Sequence, residues 1–225
     1  MTYGNIQSLL QGMMPGASTG FISTSGSPSE LAYYLRMVHM ELAGGPHKFS
    51  WALREYTLTL VAGQTEYNLK TLIPDLVQIY QISGDQIGGY EMGYRPLREQ
   101  NITRDGVTFT VMGSTLRLTN PPSSGTLTIP YYSNYLVLDA DGTTRKLDFE
   151  DADDESIAPA HLDHLLIEGT LRFYQRKEKE PILLVPTPMW DGKVVNLSPF
   201  DKFYWMAVQA DAVIKDPVYD FRYSP

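Results

Sequence analysis

LTLVAGQTEYNL, residues 58–69, is the stretch on which the reading of the fold turns. Leu58 and Leu60 fall at alternate positions, Ala62-Gly63-Gln64-Thr65 interrupts the alternation, and Tyr67 and Leu69 resume it. Apolar side chains at every second position mark a half-buried strand, and a glycine in a short polar break lets a strand reverse. The stretch therefore reads as a β-hairpin. The same period extends outward in both directions. From Trp51 to about Asn134, the segments EYTLTLVA, LVQIYQIS, VTFTVM, STLRLTN and GTLTIPYY are rich in β-branched and aromatic residues and are separated by Gly, Pro, Asn and Asp. Asp105-Gly106 and Met112-Gly113-Ser114 have the chemistry of tight turns. Five or six short strands with short connections predict an antiparallel sheet folded into a small sandwich or barrel.

The flanks have a helical period. Within residues 5–14, Ile6, Leu9, Leu10 and Met13 share one face. Pro15 to Ser27 is rich in Gly, Ser and Thr and reads as a loop. Ser27, Pro28 and Glu30 then form a helix start, with a capping hydroxyl, a proline at the first helical position and a glutamate closing a capping box. The helix they open carries Leu31, Tyr34, Leu35, Val38 and Leu42 and ends at Gly44-Gly45-Pro46. After Pro159, a further face is made by Leu162, Leu165, Leu166, Gly169 and Phe173. Residues 181–197 hold three prolines and read as extended or looped. Ser198, Pro199 and Asp201 open a last helix carrying Phe203, Met206, Ala207, Ala210 and Ile214. The order of elements is that of an α+β protein. Its expected parts are N-terminal helices over 1–50, a β-domain over 51–147, an acidic loop over 148–158, a helical part with a proline-rich interruption over 159–216, and a C-terminal arm over 217–225.

Composition narrows the function classes. At 225 residues, with 43% apolar and 20% charged side chains, the chain has material for a large core and is too apolar for disorder. No run approaches the roughly 18 apolar residues of a membrane-spanning helix, and MTYGNIQSLLQG lacks the basic start and apolar block of a signal peptide. There is no cysteine, which excludes disulfides and thiolate zinc sites and fits folding in a reducing compartment. The net charge of −8 disfavours sequence-independent binding to DNA phosphates. Most of that charge is local, because DFEDADDE, residues 148–155, holds six acids and no base. Fifteen tyrosines suit protein–protein contacts, since one end of the side chain is apolar and the other can hydrogen-bond.

The chemistry-bearing clusters have modest readings. Asp139-Ala140-Asp141-Gly142 resembles part of a calcium loop, but with Gly142 at the sixth position the first would be Val137, which offers no carboxylate. The acidic run itself reads first as a solvated loop, then as a divalent cation site or as a surface that repels or guides something negative. His161, Asp163 and His164 stand at a helix start, where Asp163 suits the N-terminal dipole and the histidines lack a third ligand. There is no GxSxG elbow, HExxH, GxGxxG after a strand or Walker loop, and no cofactor is called for. At the C-terminus, Tyr219, Phe221 and Tyr223 alternate in PVYDFRYSP, either folding back on their own sheet or extending a partner's.

Taken in order, WALREYTLTLVAGQTEYNL with IPDLVQIYQI, LRLTNPPSSGTLTIPYY and APAHLDHLLIEGTLRFYQRKEKEP resemble the head-to-tail adaptor (connector, or neck) proteins of tailed bacteriophages over roughly residues 30–180. The resemblance implies a small helical bundle carrying the β-rich insertion, and a structural virion protein, not an enzyme. It implies a ring, commonly twelvefold in such adaptors, that sits under the portal, extends the DNA channel and offers the tail or nozzle protein an attachment surface. It places the protein in the neck of the virion, assembled in the host bacterial cytoplasm, with double-stranded DNA passing through without sequence-specific binding and no membrane contact. Tyr219, Phe221 and Tyr223 would then form a portal-docking arm. Asp148, Glu150, Asp151, Asp153, Asp154 and Glu155 would face the channel, where acids let the phosphates slide. The chain departs from the usual pattern where PILLVPTPMWDGKVVNL separates two helices that such adaptors run close together. A different class of function, a carbohydrate- or receptor-binding β-module of a phage tail, would use Trp51, Trp190 or Trp205 to stack on sugar rings.

Overall fold

A computed structural model describes residues 1–13, 30–84, 93–94, 108–119, 121, 123–178, 181–182, 184–188 and 193–214. The chain is mixed helix and largely antiparallel sheet, and divides into two compact units: residues 1–52 with 135–225, and residues 53–134.

The second unit contains the deciding stretch, and the structure corrects its reading. Strand β1 (Leu53–Thr59) and strand β2 (Glu66–Asn68) do not pair with each other. They are followed by a single helical turn, Leu69–Leu72, capped by the Asn68 side chain on the amides of Lys70 and Thr71. Strands β3 (Leu76–Ile79), β4 (Ser83–Gly84), β5 (Gly93–Tyr94), β6 (Thr108–Met112), β7 (Thr115–Thr119) and β8 (Thr126–Ser133) complete the unit. β1 runs antiparallel to β8 from Leu53↔Tyr132 to Thr59↔Thr126, whereas β2 pairs with β7. One sheet has the order β1-β8-β3 with β4 also on β8, and the other the order β2-β7-β6-β5. Residues 60–65 therefore cross between sheets. Gly63 takes φ +76° in the turn, the Gln64 N–H donates to the Val61 carbonyl at 3.0 Å, and the Val61 N–H donates to Tyr67 Oη at 2.9 Å. Both arms still bury their alternate residues, Leu58 and Leu60 on one side and Tyr67 and Leu69 on the other, in a single apolar cluster with Leu116, Leu127 and Ile129.

Two further details follow from residue chemistry. Gly113 takes φ +58° between Met112 and Thr115, which pair, so the Met112-Gly113-Ser114 turn forms as expected. The partner of β8 is interrupted between Ile79 and Ser83, opposite Pro130, which has no N–H to share; its carbonyl instead accepts from the Tyr80 amide at 2.9 Å. One sheet departs from the antiparallel expectation, because β5 runs parallel to β6. Asp105-Gly106 lies outside the described residues. Buried Asp75 ties the first sheet together by accepting from Arg54 Nη1 at 2.7 Å, Tyr131 Oη at 3.0 Å and Ser133 Oγ at 2.6 Å.

The first unit is built on helices. With the single turn at Leu69–Leu72 taken as α3, the others are α1 (Tyr3–Met13), α2 (Glu30–Gly44), α4 (Asp163–Glu178) and α5 (Pro199–Ile214). α2 buries Leu31, Tyr34, Leu35, Val38 and Leu42, the face its spacing predicts. Ser27 and Pro28 lie outside the described residues; Glu30 accepts from Tyr34 Oη at 2.7 Å and pairs with Lys177. α4 buries Leu165, Leu166 and Gly169, and Phe173 packs partly buried against the same core. Ser198 caps α5, accepting from the Asp201 amide at 3.2 Å. The outer faces of α1 and α5 differ from expectation. Leu9 and Met13 are 46% and 54% exposed and Met206 is 54% exposed, while Tyr3, Phe200 and Asp211 turn inward in their place. Strands β12 (Val185–Pro188) and β13 (Val194–Leu197) give residues 181–197 an antiparallel hairpin.

Among the described glycines of this unit, Gly169 has the least room for a side chain. A Cβ there would stand 2.7 Å from Val38 Cγ2 and 3.0 Å from Phe200 Cε2, so the glycine lets α4 lie against both α2 and α5. Gly169→Ala is expected to cost about 1–3 kcal/mol of stability through overpacking. Urea denaturation reads this as a lower midpoint at unchanged slope, and an unshifted midpoint would contradict the close packing.

Candidate functional site

The acidic run and the residues before it make three short strands, β9 (Val137–Leu138), β10 (Arg145–Lys146) and β11 (Glu155–Ser156), in the order β10-β9-β11. The turn between β9 and β10 is the stretch that resembles a calcium loop. Here the Asp141 carboxylate accepts from the amides of Thr143 and Thr144, both at 2.8 Å, and from Thr144 Oγ1 at 2.7 Å. Those bonds hold its pKa well below the ordinary carboxylate range. Asp141 is thus spent on closing a turn, with Gly142 at φ +68°.

The run itself is not a freely solvated loop. Asp154 is fully buried, and its Oδ2 accepts from the amides of Glu150 at 2.6 Å and Asp151 at 2.8 Å and from Lys146 Nζ at 2.8 Å. Burial alone would raise its pKa, but the Lys146 hydrogen bond, the two amides and the Lys146 charge outweigh burial and hold it low. Carboxylate oxygens of Asp139, Asp151 and Asp154 come within 4.8 Å of one another, close enough to hold a metal ion. The Lys146 ammonium sits among them, 3.4 Å from Asp139 Oδ1 and 3.4 Å from Glu150 Oε2 as well as against Asp154. Burial works against the charge of Lys146, yet Asp154 and Asp139 raise its pKa to about 12. A lysine supplies the countercharge here.

Other contacts fix the run to the helices. The Tyr3 and Gly4 amides, at the start of α1, donate to the carbonyls of Asp154 at 2.7 Å and Ala152 at 2.9 Å. Glu155 Oε1 lies 3.3 Å from the Met1 ammonium, and Asp148 Oδ2 lies 3.3 Å from Arg36 Nη1 on α2. His39 of α2 is buried, its Nε2 3.2 Å from Ser156 Oγ and its ring stacked on Phe149 at 5.4 Å. Burial pushes the His39 pKa down to about 4, so the ring is neutral at pH 7. Of the six acids, Asp154 is internal, Asp148 is half-buried, and Glu150, Asp151, Asp153 and Glu155 are exposed.

The remaining sequence-derived candidates are dispersed. Tyr219, Phe221, Tyr223 and Trp190 lie outside the described residues. Trp51 stacks on buried Phe49 at 5.3 Å and packs against the helical core, and Trp205 lines a groove beside α5. His164 is exposed and stacks on Phe203 at 5.1 Å, and Asp163 lies 3.4 Å from the Met1 ammonium. Two buried charges had no signal in local spacing. Asp211 accepts from His47 Nε2 at 2.8 Å and from the Ser50 amide at 3.0 Å, and Arg172 pairs with Glu41 while its guanidinium lies 3.9 Å over the Phe200 ring.

Several large apolar side chains are exposed. Among the described residues of the first unit they are Leu9 and Met13 on α1, Tyr33 and Met40 on α2, Leu184 before β12, Val194 and Val195 on β13, and Met206 on α5. In the second unit, a cleft of about 590 Å³ is lined by residues 76–82 with Phe109, Val111 and Gly113. Among the described residues no helix is long and apolar enough to cross a membrane.

A family model described as SU10 adaptor protein matches residues 1–181. No curated protein matches the chain.

Two titrations should separate in pH. Because the folded pKa of His39 lies near 4 against an ordinary 6.5, the unfolded state takes up that proton first. Stability is therefore lost as pH falls from about 6.5 to about 4, on the order of 3 kcal/mol, and His39→Gln should flatten that limb. Asp154 has a lowered folded pKa, so its contribution is present above the ordinary carboxylate range and is lost on further acidification. At pH 7, Asp154→Ala is expected to cost about 1–3 kcal/mol, since it strips the acceptor from two amides and an ammonium. Denaturant midpoints across pH for the three proteins check both; parallel curves would contradict the assignment.

Proposed function

The chain belongs to the SU10 adaptor protein family, and from that premise we propose that it forms a homo-oligomeric ring, twelvefold by resemblance, in the neck of a tailed phage. The ring docks beneath the portal, extends the DNA channel and presents its far side to the tail or nozzle protein. It is a structural virion component assembled in the host bacterial cytoplasm, working without a cofactor. The match over residues 1–181 carries this reading, because it spans both units of the fold.

Surface chemistry supports it. A closed ring needs two different complementary patches on every subunit. Exposed apolar residues on α1 and α2, and separately on β13 and α5, supply candidates for the two. The acidic segment gives a channel wall its electrostatics: in the proposed ring Glu150, Asp151, Asp153 and Glu155 face the lumen, Asp148 stands beside them on Arg36, and internal Asp154 fixes their loop. A wall of that sign repels phosphates and leaves the duplex free to slide. Tyr219, Phe221 and Tyr223 form the arm that grips the portal.

Mixing the purified protein with its cognate portal and imaging by electron microscopy tests the assembly. A ring stacked on the portal, absent when residues 217–225 are deleted, is the expected result. No ring with either protein would reject the adaptor assembly, and a ring that survives the deletion would reject the arm. The lumen assignment has its own test. Glu150→Gln, Asp151→Asn and Asp153→Asn together should raise the ring's affinity for double-stranded DNA and steepen its salt dependence in a filter-binding assay. Unchanged binding would place those acids away from the channel.

A further inference from the structure

Strand β1 leaves one long edge of its sheet open. The Leu60 N–H donates to the Gly125 carbonyl at 2.9 Å, and the β1–β8 register continues from that pair. Ladder bonds alternate along an antiparallel pair, so Arg54, Tyr56 and Leu58 turn their N–H and C=O groups to β8. Pro130, which has no N–H, falls opposite Glu55, where none is needed. Leu53, Glu55, Thr57 and Thr59 therefore direct their N–H and C=O groups away from β8. All four residues are exposed, and among the described residues no strand pairs with them. Soluble proteins guard such edges with proline, lysine, a bulge or a very short strand. β1 has seven residues in unbroken register, with no proline and no lysine, and its one base, Arg54, is held by buried Asp75.

A second open edge lies in the other unit. The β12–β13 register pairs Val185 with Leu197, Pro186 with Asn196, Thr187 with Val195 and Pro188 with Val194. Proline has no N–H, so the ladder bonds fall to Val185 and Thr187, and the outer edge of β12 offers no donor at Pro186 or Pro188. On β13 the same alternation leaves Val194 and Asn196 with N–H and C=O groups directed outward. Among the described residues no other strand pairs there. Val194 is 65% exposed and Val195 41% exposed. A ribbon of two strands is marginal in water, and further strands are the usual remedy.

We propose that the β13 edge of one copy pairs with the β1 edge of the next, so that neighbouring subunits share a sheet of order β12-β13-β1-β8-β3. Main-chain donors and acceptors on both edges make the match, as in recognition by strand addition. The partner is a second copy because every chain carries both edges and the two are different, which is the condition for a contact that passes round a ring. Pairing of β1 with β1 would use one edge twice, close a two-fold pair and leave β13 bare. The shared sheet stops at β12, where the prolines refuse a further strand. Outward-pointing residues meet as hydrogen-bonded pairs, so Val194 joins the face of Leu53 and Thr57, and Val195 joins that of Tyr56.

The inference rests on the ring reading of the chain and supplies its contact. The patch at β13 finds its counterpart on the second unit of the neighbour, through backbone bonds in addition to apolar area.

Proline at an outward position removes an edge donor and leaves the ladder within the chain whole. Thr57→Pro and Asn196→Pro, each assembled with the cognate portal beside the unchanged protein, therefore test the pairing. Both variants should keep their urea midpoints, and each should weaken ring formation by about tenfold or more, read as the fraction of portals that carry a ring in electron micrographs. An equimolar mixture of the two, with tags of different length, retains one usable pair of edges: β13 of the Thr57→Pro chain and β1 of the Asn196→Pro chain. Cross-linking of the mixture with portal should give dimers holding one copy of each, at concentrations where neither variant alone gives dimers. A misfolded variant could not restore that product. Rings that form as well with both variants as with the unchanged protein overturn the pairing and leave the ring standing. Loss with only one variant, or a mixture without mixed dimers, also overturns it, because one edge then meets a different surface. No ring from the unchanged protein overturns the ring reading itself, and the pairing with it.

Discussion

One lysine ammonium holds the acidic segment in its shape. Six carboxylates in eight residues would repel one another into an extended, solvated run. Lys146 counters this from β10 by reaching Asp139, Glu150 and buried Asp154 at once. With Asp154 neutralised in this way, its carboxylate can take the amides of Glu150 and Asp151 and close the turn. The carbonyls of that turn then receive the first amides of α1, and its end places Ser156 against His39 of α2. The contribution of this centre differs in kind from that of the outer pairs. Arg36–Asp148 has both side chains partly in water and is worth at most about 1 kcal/mol, whereas removing one partner from the internal pair strands the other in a low-dielectric site.

How much of this was legible depends on whether a residue's partner is local. The inward face of α2 and the Leu165, Leu166, Gly169 face of α4 follow from a 3.6-residue period, because each helix lies against a core on one side. The stretch at residues 58–69 shows where period fails. Alternation states which side chains are buried, and Leu58, Leu60, Tyr67 and Leu69 are buried together. It does not name the neighbouring strand, and here β8 and β7 take the two arms in place of a hairpin. The face of α5 was displaced for a different reason: Asp211, which an apolar pattern assigns to solvent, is drawn inward by His47 and Ser50.

The site divides along the same line. The acids announced themselves by density, whereas Asp139-Ala140-Asp141-Gly142 drew attention as part of a calcium loop and instead closes a turn through Asp141. Lys146 carried a weak local signal, a base four residues before Glu150. His39 and Asp211 carried none, since their partners lie 117 and 164 residues away. The histidines with a local cluster, His161 and His164, drew attention by spacing, yet His164 stacks on Phe203 at the surface and acts electrostatically on Glu168.

A fixed acidic loop and a mobile acidic tail act differently on a passing duplex. Charges on a flexible run retreat from an approaching phosphate, so their repulsion averages toward that of a diffuse cloud. Here Asp154 and Lys146 pin the backbone, and the exposed carboxylates keep their positions relative to it. At physiological ionic strength such charges are felt over about 8 Å. In the proposed ring a loop held this way repels the duplex only when it nears the wall, and leaves DNA on the axis almost untouched. The barrier to radial contact then comes without drag along the channel. Lys146 turns its ammonium inward to three carboxylates, so that charge is not offered to the phosphates, and the half-exposed guanidinium of Arg36 is held by the Asp148 carboxylate.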